Sequence, residues 1–140
     1  HTPLEAWNTK IKKGLKYLQE LEEIVPASFE EYSSNLQAKA ACERYTEKIT
    51  EALCDLSFLV LRELGTQAPE DDKQLFAVLA RKKVIDVQLS EKLQKAKAMR
   101  NFLAHRYAYI NDHLVYSAVK NELKRDATNF IKAIKNTAML

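Results

Sequence analysis

Apolar residues recur along this chain at steps of three and four and nowhere in strict alternation, so its elements read as helices throughout. Leu4, Trp7, Ile11, Leu15, Leu18 and Leu21 make one stripe, which Val25-Pro26 ends because proline disfavours a helical residue before it. Thr2-Pro3-Leu4-Glu5 opens this helix as a capping box. Ser28-Phe29-Glu30-Glu31 is a second such box, for a short helical turn, and Ser33-Ser34-Asn35 breaks the chain before a helix expected from about Leu36 to Leu64. Gly65 closes that helix, since glycine takes the left-handed conformation without strain. Its inward residues would be Leu36, Tyr45, Ile49, Leu53, Leu56, Val60 and Leu64. From Leu53 to Leu61 it is apolar on more than one face, so either it forms the centre of a bundle or Leu56, Leu59, Val60 and their neighbours meet another subunit.

Beyond a polar linker, Thr66 to Asp72, a small helix is expected from Lys73 to Arg81 and a turn from Lys82 to Asp86. Asp86 or Ser90 then caps a helix whose packing stripe is Leu89, Leu93, Ala96, Met99, Phe102 and Leu103. Asn111-Asp112 caps the last one, which follows Leu114, Val115, Ala118, Val119, Leu123, Ala127, Phe130, Ile131 and Ile134. The predicted architecture is all-α: one domain over residues 1–140, a bundle of four long helices with one or two short ones.

Two glycines and three prolines in 140 residues agree with that, because a many-stranded fold needs more turns. A net charge of +3 is too small to identify a nucleic-acid binder, but its distribution is uneven. From Gln19 to Ala38 every charged residue is acidic, whereas Lys92 to Asn111 holds Lys92, Lys95, Lys97, Arg100 and Arg106 and no acid. Glu47, Glu51 and Asp55 share a helix face, which either supports a basic site or is simply solvated. Cys42 and Cys54 lie on one predicted helix, about 18 Å apart along its axis, and cannot bridge each other. Two such thiols without zinc-ligand spacing fit a reducing cytoplasm, and no apolar run reaches transmembrane length, so a cytoplasmic protein with no metal, no cofactor and no membrane partner is expected.

The chemistry concentrates in Arg100-Asn101-Phe102-Leu103-Ala104-His105-Arg106-Tyr107. Arginine grips phosphate bidentately at any working pH, and histidine titrates near neutrality. Residues of these types near a helix end also complement its dipole and satisfy its last carbonyls, which is the plainer reading. On a straight helix Arg100 and His105 point about 140° apart, so converging on one atom needs either a helix that loosens near His105 or a second copy across a two-fold axis. Such a pair supports transesterification of RNA: His105 takes the 2′-hydroxyl proton, Arg100 stabilises the phosphoryl charge, and Asn101 orients the imidazole or holds a phosphate oxygen. Tyr107 and Tyr109, just past the histidine, offer rings on which bases stack, although tyrosine is also common at protein interfaces.

Arg100, four residues, His105, one residue, Tyr107, with Asn101 directly after the arginine, resembles the signature of HepT-type toxins in the HEPN superfamily. Glu43-Arg44, Glu51-Ala52 through Asp55, the segment Leu75 to Ile85 and the final helix from about Asp112 fall where that family has comparable elements, so the resemblance spans about Leu4 to Lys135. It implies a HEPN-type helical bundle, a homodimer whose motifs meet in an interfacial cleft, and a metal-independent endoribonuclease acting on tRNA or mRNA. It further implies a cognate MntA-type nucleotidyltransferase antitoxin that neutralises the toxin by transferring AMP to Tyr107. By position, Arg100 and His105 are then catalytic, Asn101 supports them and Tyr107 accepts the AMP. The HEPN fold also hosts non-nucleolytic members, so the alternative is a nucleotide- or nucleic-acid-binding subunit of a nucleotidyltransferase complex.

Overall fold

The computed structural model describes residues 3–105 and 111–138. Thr2, Tyr107 and Tyr109, named above, lie outside the described residues. Helix α1 runs from Pro3 to Ile24 and buries Trp7, Ile11, Leu18 and Leu21. Leu4 and Leu15, expected on that stripe, are 40% and 41% exposed. Gly14 takes the inner position instead, with its α-carbon turned toward Ile131 of the last helix. A glycine has no apolar side chain to register in a periodicity count, so at this one position the count points to Leu15 instead of Gly14.

Helix α2 (Phe29–Ser34) starts at Ser28, whose hydroxyl accepts from the Glu31 amide at 3.2 Å. Asn35 caps α3 (Leu36–Glu63), its side-chain oxygen accepting from the Ala38 amide at 3.0 Å. Gly65, at φ 69°, closes α3 as predicted. Ile49, Leu53, Leu56 and Val60 face inward as predicted, but Leu36 and Leu64 are 78% and 44% exposed, because they sit at the two ends of the helix, beyond its packed middle. Small side chains fill the rest of the inner face: Cys42, Thr46, Thr50, Ala52 and Ser57. The hydroxyls of Thr46 and Ser57 donate to carbonyls one turn back, at 2.9 and 2.8 Å, which is how polar residues are tolerated there.

The apolar run in α3 therefore reflects its place at the centre of the bundle, against α1 and the later helices. Of the two expectations for this run the bundle centre holds for Leu56 and Val60, which are closed inside the protomer, while Leu59 is partly buried and Phe58 is exposed. A 3₁₀ turn, Asp72–Gln74, leads into α4 (Leu75–Arg81), and α5 (Val87–His105) is capped by Asp86, which accepts from the Leu89 amide at 2.7 Å. Leu93 and Leu103 anchor α5 in the core, while Leu89, Ala96, Met99 and Phe102 are half-buried. The last helix comprises α6 (Asp112–Ser117), a π-helical turn (Ala118–Glu122) and α7 (Leu123–Ala138). Its stripe explains the π turn. Val115, Val119, Leu123, Ala127 and Ile131 follow at steps of four, which drift around a regular 3.6-residue helix, and the wider turn brings the later residues back onto the core. No helix among the described residues is long and apolar enough to cross a membrane.

Candidate functional site

Arg100 projects from α5 toward the middle of α3. Its Nη2 donates to Glu51 Oε1 at 2.8 Å, and its Nη1 donates to Asn101 Oδ1 at 3.1 Å. The hydrogen bond to Glu51, more than any other influence, holds the guanidinium pKa above its ordinary value, so the charge is permanent. Nε is buried without an acceptor among the described residues. A guanidinium carries five N–H donors. Glu51 and Asn101 engage one on each terminal nitrogen, which leaves one on each for the paired oxygens of a phosphate.

The three carboxylates that share a face of α3 divide their work. Glu51 supports the arginine, whereas Glu47 pairs with Arg44 at 3.1 Å and Asp55 with Lys10 of α1 at 3.2 Å. Not every cation of the basic segment faces a substrate. Lys97 is buried and pairs at 3.1 Å with Asp72, so it pins the 3₁₀ turn to α5. Cys42 and Cys54 are free thiols, and burial pushes each up to about 11. Both stay protonated at working pH and are no nucleophiles.

His105 is the last residue of α5 and is exposed. Arg100 and His105 both lie within the α5 span, and at 100° per residue their α-carbons stand about 140° apart around the helix axis. Asn101 lies between them in sequence, and its carbonyl oxygen is committed to Arg100. From residue 111 onward three contacts fasten the chain. Asp112 pairs with Lys39 at 2.7 Å, the His113 ring stacks on Phe29 with centroids 3.7 Å apart, and the Tyr116 hydroxyl donates to the Pro26 carbonyl at 2.8 Å. These contacts anchor the start of the last helix. The sequence gives no local signal for them, because each joins residues more than seventy positions apart or pairs helices whose order alone does not make them neighbours.

With this geometry in place, comparison with known proteins is informative. The chain matches the family described as Ribonuclease HepT-like over residues 15–134. A presumed RNase of Archaeoglobus fulgidus is 30% identical over 124 residues, covering 86% of this chain and 92% of that protein. A tRNA nuclease HepT of Aphanizomenon flos-aquae is 24% identical over 117 residues, covering 84% and 80%. Among solved structures, a tri-AMPylated HEPN toxin of Shewanella oneidensis in complex with an MNT antitoxin superposes with a TM-score of 0.86 at 21% identity, over 93% of this chain and 96% of that one. At that identity the superposition establishes the HEPN fold, and the predicted bundle of four long helices with one or two short ones agrees with it.

Proposed function

This chain belongs to the family of HepT-like ribonucleases, and from that premise we propose that it is the toxin of a toxin–antitoxin pair, an endoribonuclease that needs no metal. His105 removes the proton of a ribose 2′-hydroxyl, that oxygen attacks the adjacent phosphorus, and the 5′-oxygen of the next nucleotide leaves. The products are a 2′,3′-cyclic phosphate and a free 5′-hydroxyl. Arg100 meets the charge that builds on the non-bridging oxygens with the two donors left free by Glu51 and Asn101. DNA, which has no 2′-hydroxyl, survives.

The observation that carries this reading is that α5 extends to His105, so that Arg100 and His105 belong to one helix. On one helix the two residues stand about 140° apart around the axis. A homodimer with its two-fold axis beside the end of α5 resolves the conflict: Arg100 of one protomer meets His105 of the partner subunit, and the remaining histidine protonates the leaving oxygen. Tyr107 follows two residues later, and AMP placed on its hydroxyl by an MntA-type nucleotidyltransferase would fill the cleft with negative charge and exclude RNA. The solved relative that is AMPylated and bound to an MNT antitoxin supports this regulation, and the relative named as a tRNA nuclease supports tRNA as the first substrate to test.

Mixing variants tests the shared cleft. Arg100→Ala and His105→Ala homodimers are each inactive, but subunit exchange between them places an intact arginine opposite an intact histidine in one cleft, where water replaces the missing second histidine as proton donor and cleavage returns at a rate below that of wild type. Activity that appears only in the mixture supports the reading; a mixture as inactive as its parts, with exchange demonstrated by mass, contradicts it.

A further inference from the structure

Two helices of this chain end in the same way but with different residues. At the end of α3 the Gly65 amide donates to Arg62 and the Thr66 amide to Leu61, at 3.0 and 2.9 Å, around a glycine with φ 69°. At the end of α4 the Lys83 amide donates to Ala80 and the Val84 amide to Leu79, both at 3.0 Å, and the left-handed residue, at φ 61°, is a lysine. Among the described residues it is the only non-glycine with positive φ. A side chain there strains the backbone, where glycine would not. Strain kept at one position is a reason to ask what that side chain does.

Lys83 stands on the rim of a groove of about 750 Å³ between the α4–α5 turn and α7, together with Lys92 and Lys132. None of the three ammonium groups has a carboxylate partner among the described residues, although Lys10, Lys39, Lys97 and Lys124 all do. The one acid in the groove, Asp86, is engaged as the cap of α5. Asn129 and Asn136, seven residues apart on α7, add two side-chain amides along one wall. Lysines act as point charges for phosphates, and an amide both donates to and accepts from a base edge or a ribose hydroxyl. Lys92 lies on α5 eight residues before Arg100, about 12 Å along the axis and on another face, so the groove is separate from the arginine that would grip the cleaved linkage.

We propose that this groove is a second RNA site, which holds phosphates of a single-stranded part of the substrate away from the linkage that is cut. The assignment rests on the ribonuclease reading for its ligand. A concave, basic, amide-lined groove fits a flexible polyanion better than the flat face of an acidic protein.

The test measures binding of a fluorescent oligouridylate of about twelve nucleotides to the full-length His105→Ala protein as salt is raised. Replacing Lys83, Lys92 and Lys132 together by alanine should weaken binding roughly tenfold near 0.1 M salt and reduce the slope of log affinity against log salt by about 2. Lys83→Gly separates charge from folding: it should reduce the slope by about 0.7 while raising the melting temperature, because the strain is relieved. Unchanged affinity and slope in the triple variant would overturn the proposal. So would a triple variant that keeps RNA but loses a co-purified acidic protein partner. Binding is read whether or not the protein cuts, so failure of the ribonuclease reading, seen as no cleavage by unmodified wild type, remains distinguishable from failure of the groove.

Discussion

Arg100 is held before any substrate arrives, and Glu51 does most of the holding. The pair is half-exposed, so its contribution is to geometry more than to stability. Glu51→Ala should lower turnover on RNA by roughly ten- to a hundredfold, as expected when a charge-stabilising group is misplaced by about an ångström. Glu51→Gln, whose amide oxygen still accepts from Nη2, should recover much of that loss, and neither variant should shift the melting temperature appreciably. Equal turnover in all three proteins would remove Glu51 from the site. The thiols make a second prediction at this scale. Burial raises Cys42 and Cys54 from the ordinary 9.0 to about 11, so the folded state retains protons that the unfolded state releases. Stability should therefore be insensitive to these groups below about pH 9 and fall between about pH 9 and 11; Cys42→Ala and Cys54→Ala variants compared in urea at both ends of that range check the sign. Arg100, Asn101 and His105 were legible in the sequence because they are adjacent in it. Glu51 stood out only as one of three equivalent carboxylates, since the choice among them depends on which lies opposite α5.

The helices position these side chains through caps that were readable and contacts that were not. Ser28, Asn35, Gly65, Asp86 and Asn111 each end or begin a helix where the local residue chemistry predicts. Asn35→Ala should cost about 1 kcal/mol of unfolding free energy, measured by denaturant titration, through loss of the Ala38 amide's acceptor. Gly14 offers the opposite sign. An alanine Cβ at this helical position would meet Ile131 Cδ1 at 3.9 Å, an ordinary contact, so Gly14→Ala should stabilise the protein by about 0.5–1 kcal/mol. A lower melting temperature would mean that α1 and α7 approach too closely for a methyl group. Periodicity finds the helices but misassigns Leu4, Leu15, Leu36, Leu64 and Leu114, because helix ends and glycine positions follow the packing of neighbours and not the hydropathy of the residue itself. The π turn was hidden for a related reason: steps of four look helical, and only their accumulated drift demands the extra residue.

At the scale of the whole molecule, the fold and the site make different demands. The core is built within one chain, with the inner face of α3 packed against its neighbours. The proposed chemistry is not, because α5 separates Arg100 from His105 around its axis and a second copy must bring them together. The sequence thus carried the architecture through its apolar spacing, and carried the proposed reaction only as an angular conflict that the proposed homodimer would resolve. The most direct test is cleavage of RNA in EDTA by wild type and by His105→Ala, after the intact masses have shown that neither carries AMP. The account predicts that wild type leaves 2′,3′-cyclic phosphate ends without divalent metal and that the variant leaves the RNA whole. Unmodified wild type that cuts nothing, or a variant that cuts equally well, would contradict it.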